Sequence, residues 1–338
     1  MPLVRVKPDD LGQVAAVVDI LNAARRVDDP EALPQLVELM AGELAYGWDL
    51  EPPEQFLYTP DAADDPVATL AIDLPQRDNR HLFWAQIMVH PDHRRRGHGS
   101  WLMSEVLRMA AEAGRPTVWV ETVEDDHGAR AFVEQFGFVY ASHDARRRQV
   151  LAEVDQEAVN RLYAAAELAA ADYRLERLQP PISDETLSEL IEVTAAINDA
   201  PMGDLTFEDE FFDLARMQDS ETARERRGDH SYRVIARHRE AGEIGGHTMV
   251  VTHPLRPAVA GQADTAVARS HRGHRLGLLL KIDMMRWLAQ TEPQVEMIET
   301  WNNVENDFMI NVNEALGYRL SQVYATYELN LAGQVART

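Results

Sequence analysis

The sequence predicts an α/β protein built as two tandem copies of one domain. Three observations carry this reading. Apolar residues recur at strand spacing and then at helical spacing along the whole chain; the same order of elements restarts beyond residue 173; and an arginine-rich turn precedes a glycine–aromatic pair twice. Arg94 lies 43 residues before Gly137-Phe138, and Arg272 lies 45 before Gly317-Tyr318. The offsets between copies, 178 and 180, differ by one two-residue insertion, and a near-constant period of this kind marks a repeat. A length of 338 residues agrees with two domains.

Taken in order, Leu3 to Lys7 alternates as a strand and stops at Pro8-Asp9-Asp10, where a helix begins. Leu11, Val14, Val17, Val18 and Leu21 then recur at helical spacing, and a shorter periodic stretch follows around 31–41. β-like segments at 54–59, 66–74 and 82–89 lead into a polar, basic turn over 90–99. Beyond it come a helix at 100–113, a strand at 117–122, a helix at 126–136 and strands within 138–151, an order of βααβββαβαββ. Residues 152–171 are alanine-rich and lack glycine, which suits a connecting helix. The second copy starts with a strand from Tyr173 to Leu178. Helices follow near 184–198 and 206–226, then strands near 232–238, 243–252 and 263–269. The expected division is a first domain over 1–152, a helical linker over 153–172 and a second domain over 173–338.

Composition narrows the chemistry. Hydrophobic residues at 45% and charged ones at 26% fit a soluble globular chain. No apolar run approaches the ~18 residues that cross a bilayer, and the start passes directly to charged residues, so a cytoplasmic location is expected. With no cysteine there is no disulfide, thiolate metal site or cysteine nucleophile. The balance of 33 basic against 56 acidic residues, a net charge of −23, opposes nucleic acid and anionic membranes. Lys7 and Lys281 are the only lysines, which leaves almost no candidate for P-loop or Schiff-base chemistry. The 12 histidines show no metal-ligand spacing, so no metal is expected, and no G-x-S-x-G elbow occurs. An anionic ligand therefore needs a local exception to the overall charge.

That exception is the stretch Ile87-Met88-Val89-His90-Pro91-Asp92-His93-Arg94-Arg95-Arg96-Gly97-His98-Gly99-Ser100. An apolar strand ends, a proline turn follows, and R-x-x-G-x-G opens a helix. Unpaired backbone N–H groups at a helix N-terminus bind diphosphate. Gly97 and Gly99 remove the Cβ atoms that would hold a phosphate away from the main chain, while Arg94, Arg95 and Arg96 add charge. A dinucleotide-binding fold would place its glycine turn in an opening βαβ unit, whereas three β-like segments come first here.

These residues resemble the GNAT superfamily of N-acetyltransferases. Its signature V-x-P-x-x-[QR]-x-x-G-x-[GA] is matched by Val89, Pro91, Arg94, Gly97 and Gly99, and its second landmark by the helix Ala129–Gln135 leading to Gly137-Phe138. The second half resembles the family more loosely. There Val267, Arg272, Gly273, His274, Arg275, Leu276 and Gly277 precede Thr300-Trp301-Asn302-Asn303 and a helix leading to Gly317-Tyr318. Arg269 stands where the proline would be, and Arg275 where the first loop glycine would be. The resemblance covers nearly the whole chain, as in the tandem acetyltransferases that include mycothiol synthase.

It implies two tandem domains, each a mostly antiparallel mixed sheet with splayed central strands flanked by helices. It also implies acetyl-CoA as co-substrate with no metal, and direct transfer of acetyl to the amine of a small or cationic acceptor. The pantetheine arm would lie along Ile87, Met88 and Val89, and along Thr265 to Val267 in the second copy. The diphosphate would sit on Arg94 to Ser100 or on Arg272 to Gly277, with Asn302 as a further cofactor contact. Neither nucleic acid nor membrane is an implied partner, and monomer and homodimer both stay open.

Candidate bases are Glu121, at the end of the fifth strand, and Glu299, in the matching place of the second copy; an ion-paired strand end is the plain alternative for each. Asp264 on the fourth strand of the second half is a further option. The family often protonates the leaving thiolate with a tyrosine four residues before the glycine of Gly-Phe, and that place holds Val133 and Asn313 here. Asn313 could hydrogen-bond the sulfur but is no proton donor at neutral pH. Tyr324 and Tyr327 read as packing residues of a strand in the second half. The missing tyrosines and Arg275 leave a second reading, a non-catalytic acyl-CoA-binding or interaction protein.

Overall fold

The computed structural model describes residues 2–61 and 65–333. The first half of the chain contains β1 (Leu3–Arg5), α1 (Leu11–Asp28), α2 (Val37–Tyr46), β2 (Glu54–Tyr58), β3 (Ala68–Asp73) and β4 (Leu82–Val89). It continues with α3 (His98–Glu112), β5 (Thr117–Val123), α4 (His127–Gln135) and β6 (Val139–Val150). Next come α5 (Gln156–Ala169), β7 (Tyr173–Leu178), α6 (Asp184–Ala195), α7 (Leu214–Arg227), β8 (His230–His238), β9 (Ile244–Thr252) and β10 (Val259–Val267). The chain closes with α8 (Leu276–Thr291), β11 (Met297–Asn303), α9 (Asp307–Ala315) and β12 (Arg319–Asn330). The expected order is present in both halves, with two displaced helices. Pro30 and Pro34 delay the second helix to Val37, and the segment expected as helix from 206 is irregular until Asp213 caps α7 at Arg216 N.

The chain forms two compact units that do not coincide with its sequence halves. One comprises Met1–His143, Met202–Asp209 and Gln322–Thr338; the other comprises Asp144–Pro201 and Glu210–Ser321. The first unit's sheet runs β1-β2-β3-β4-β5-β12, the second's β7-β8-β9-β10-β11-β6. In each, one parallel pair, β4 with β5 or β10 with β11, sits among antiparallel ones. The last strand of each half therefore serves the other half's sheet. β12 pairs with β5 over Tyr324–Val123 to Asn330–Thr117, and β6 pairs with β11 over Asp144–Asn303 to Val150–Met297.

The divisions expected at 152 and 172 shift accordingly. Residues 144–152 belong to the second unit, and so does the segment expected as a linker, because Val159 and Ala166 of α5 bury against Leu276, Leu280 and Trp287. An alanine-rich face that packs this closely is part of a core.

Two layers cover the first sheet. Phe83, Ala85, Val118 and Val120 meet Leu102, Met103 and Val106 of α3 on one face, joined by Ala325, Tyr327 and Leu329 of β12. Leu57 and Met88 meet Val14, Val17, Val18 and Leu21 of α1 and Met40 and Leu44 of α2 on the other. The second unit repeats this, with α8 on one face and α6 and α7 on the other. Its core also holds a charged side chain. Lys281, at Met103's place by the offset of 178, is buried, its Nζ has no hydrogen-bond partner among the described residues, and it lies 4.7 Å from the Tyr318 ring centre.

Burial pushes the Lys281 pKa from 10.5 down to about 7. Between those values the unfolded chain holds a proton that the folded chain lacks, so this group's contribution to stability rises with pH across that window and its full cost applies at and below pH 7. Lys281→Met is expected to raise the melting temperature at neutral pH by the equivalent of a few kcal/mol, about 5 at most, with the gain vanishing as the pH nears 10.5. Calorimetry of both proteins near pH 7 and near pH 10 checks this; a gain that does not depend on pH would contradict the charge argument.

Candidate active site

The site starts where β4 and β5 part. Their parallel pairing runs from Leu82–Thr117 to Ala85–Val120 and stops there, so Gln86 to Val89 and Glu121 to Val123 diverge. The opening is a cavity of about 630 Å³, a size suited to a cofactor arm. Ile87, Met88 and Val89 line one wall and Glu121, Thr122 and Val123 the other. Gly97, His98, Gly99 and Ser100 lie at the mouth, and α4 closes it with Phe132 and Val133. The second unit repeats the divergence, since β10 and β11 pair only from Val259–Met297 to Gly261–Glu299.

Helix capping explains the mouth. An Asp, Ser or Asn side chain caps α1, α4, α5, α6, α7 and α9, but no side chain caps α2, α3 or α8, and of these three α3 opens onto the cleft. The first intrahelical bond of α3 runs from Trp101 N to Gly97 O, which leaves the N–H groups of His98, Gly99 and Ser100 for a ligand. Gly97 has φ +88°, and a Cβ there would meet nothing within 4 Å, so glycine serves the backbone conformation and leaves open space above it.

The two loops reach one geometry with their residues interchanged. Left-handed φ falls on Arg95 (61°) and Gly97 (88°) in the first, and on Gly273 (88°) and Arg275 (55°) in the second. Arg275 is left-handed, at a cost of about 1–2 kcal/mol.

The arginines expected at the diphosphate divide. Arg95 lines the cleft and Arg96 is exposed. Arg94 lines it too, with its guanidinium braced: Nε donates to Val89 O at 3.1 Å, and Nη1 and Nη2 donate to Asp28 at 2.7 and 2.6 Å. Those bonds to Asp28 hold the Arg94 pKa above its ordinary value. Arg272 repeats the device, with Nε on Val267 O at 3.2 Å and Nη2 on Asp199 at 2.5 Å. This arginine braces the strand end against an acidic residue beyond the end of the first helix. In the second unit Leu276 is buried in the core, Gly277 is buried at the start of α8, and His274 packs near Tyr173.

The carboxylates also separate. Glu121 lines the cleft. Glu299 is ion-paired to Arg148 at 2.8 Å, with Arg146 at 3.8 Å. Nor do the two match: β5 and β11 align end to end, so Glu121 is the fifth residue of its strand and Glu299 the third. The two-residue insertion falls before the strand, which moves the equivalence by two. Asn313 is fully buried, its Nδ2 donating to Asn302 Oδ1 at 2.6 Å and its Oδ1 unpartnered among the described residues.

Other groups were beyond the reach of sequence patterns. Tyr324, read as a strand residue of the second half, lines the first unit's cleft, and its hydroxyl donates to Asp29. Tyr327, three residues on and on the other face of β12, packs in the core as expected. In the second unit Arg233 Nη1 donates to His247 Nδ1 at 3.0 Å, and burial holds the imidazole well below its ordinary pKa. Burial likewise raises Asp264, which feels Arg233 and Arg224. Among the described residues no helix is long and apolar enough to cross a membrane, and no group of three His, Asp or Glu could hold a metal.

The model of the acetyltransferase (GNAT) family matches residues 14–138, the segment that carries this cleft. Over its full length the chain is similar to a tandem GNAT protein from the clavulanic acid biosynthesis pathway, at 25% identity and a TM-score of 0.78, covering 97% of this chain and 98% of that one. The fold is shared with a GCN5-related N-acetyltransferase from Sphaerobacter thermophilus, at 14% identity and a TM-score of 0.67, covering 98% and 96% of the two chains. It is shared too with a glucosamine N-acetyltransferase region of a fungal multi-domain β-N-acetylglucosaminidase, at 16% identity and a TM-score of 0.68, with 97% of this chain matching 38% of that one. No curated protein sequence matches. Residues 14–138 are thus an acetyltransferase domain of the GNAT family, in a chain that shares the fold of a tandem GNAT protein.

Proposed function

We propose that the protein transfers acetyl directly from acetyl-CoA to the amine of a small or cationic acceptor, and that the first unit holds the cofactor. The carrying observation is the conjunction of a strand divergence with an uncapped helix start at one cavity. The diphosphate would rest on the N–H groups of His98, Gly99 and Ser100, and the pantetheine amides would pair with β4 along Ile87 to Val89 as an added strand. An N–H of the same diverging strand would stabilise the oxyanion formed when nitrogen attacks the thioester carbonyl. Glu121 adds negative charge to the cleft of a chain with net charge −23, which favours a cationic acceptor.

Val133 and Asn313, in place of the family's tyrosine, favour a second reading in which the chain binds acyl-CoA without turnover. Calorimetric titration with acetyl-CoA, followed by thiol-reagent detection of CoA release across amino acids, polyamines, aminoglycosides and peptides, separates the two. Release with a cationic amine is expected. Binding with no release across the panel would establish the second reading instead.

A further inference from the structure

Resting on the acetyl-transfer reading, we infer that Tyr324 and Asp29 form the proton-accepting pair of the first unit's cleft, with Tyr324 taking the proton of the acceptor ammonium and passing its own to Asp29. A cationic amine must lose a proton before its nitrogen can attack, and the chain needs a group at the cleft to take it. Tyr324 is such a group. It stands opposite Val123 across the β5–β12 ladder, two pairs beyond Glu121–Thr326, and lines the cavity together with Glu121. Its hydroxyl donates to Oδ2 of Asp29, a carboxylate only 4% exposed at the end of α1.

The direction of that bond decides the role. A phenol whose hydrogen is committed to a carboxylate offers the cleft its lone pairs, which accept an N–H. The pair is assembled from the end of the first helix and the final strand, residues 295 apart in sequence.

The step balances. The acceptor R–NH3+ gives one proton to the Tyr324 oxygen as the Tyr324 proton moves to Asp29. The neutral nitrogen forms the C–N bond, the C–S bond breaks with its electron pair going to sulfur, and the thiolate takes up the second proton lost from nitrogen. The products are the amide, CoA thiol and one proton on Asp29 that returns to water.

The test compares full-length Tyr324→Phe and Asp29→Asn with the parent chain, using an alkylamine acceptor that is protonated at neutral pH and a weakly basic fluorinated amine that is already neutral there. Both variants are expected to lower kcat for the protonated amine by about 10²-fold at unchanged acetyl-CoA affinity, and to leave the neutral amine's rate as it was. Equal loss with both amines, or no loss with either, overturns the inference. If Asp29→Asn fails to bind acetyl-CoA, Tyr324→Phe, which removes a single oxygen, decides the matter on the same two amines. A parent chain that acetylates no amine at all removes the acetyl-transfer reading itself, a result distinct from normal turnover in the variants.

Discussion

Ending the chain at Ser321 is expected to unfold the first unit while the second keeps its fold. Residues 322–338 belong to the first unit, where β12 lies along the whole of β5 in seven registered pairs and places Ala325, Tyr327 and Leu329, each at most 5% exposed, against Phe83, Val118 and Val120. At about 1.5–3 kcal/mol for each large side chain, with the ladder bonds in addition, the loss rivals the roughly 5–15 kcal/mol that holds a domain together. Acetyl-CoA affinity should vanish even though residues 94–100 are untouched. Hydrogen exchange read separately for β5 and β11, together with acetyl-CoA titration, checks this. A peptide spanning 319–333 added to the truncated chain should restore protection of β5, and a truncated chain that binds acetyl-CoA normally would refute the strand assignment.

Gly97→Glu is expected to weaken acetyl-CoA binding by at least about 100-fold with a small change in stability. A side chain at φ +88° costs about 1–2 kcal/mol, and there is open space for it, so the fold survives. The carboxylate, however, would stand before the uncapped N–H groups of α3, where it both repels the diphosphate and takes the partial positive charge the diphosphate needs. Titration calorimetry measures the affinity and a melting curve the stability. Unchanged affinity would place the diphosphate elsewhere.

The loop could be read in the sequence because its chemistry is local. A strand, a proline turn and R-x-x-G-x-G specify a helix start by neighbouring residues alone, and Gly97, His98, Gly99 and Ser100 stand where that reading put them. The brace on Arg94 could not be read there, because its partner, Asp28, lies 66 residues away and nothing in the loop announces it. The choice between base and ion-paired strand end at Glu299 stayed open for the same cause: Arg148 reaches it only once β6 lies beside β11.

Element types, their order and the duplication follow from the residue order alone, since helix and strand periods and caps act over a few positions. The partners of the two last strands do not. β6 and β12 each follow a glycine at φ +86° and an aromatic residue, and each ends in the same pattern of buried and exposed positions. Either strand would therefore satisfy either sheet as far as alternation can tell. Only the packing of the assembled chain chose between them, and by placing β12 beside β5 it brought Tyr324 to a cleft that begins more than two hundred residues earlier.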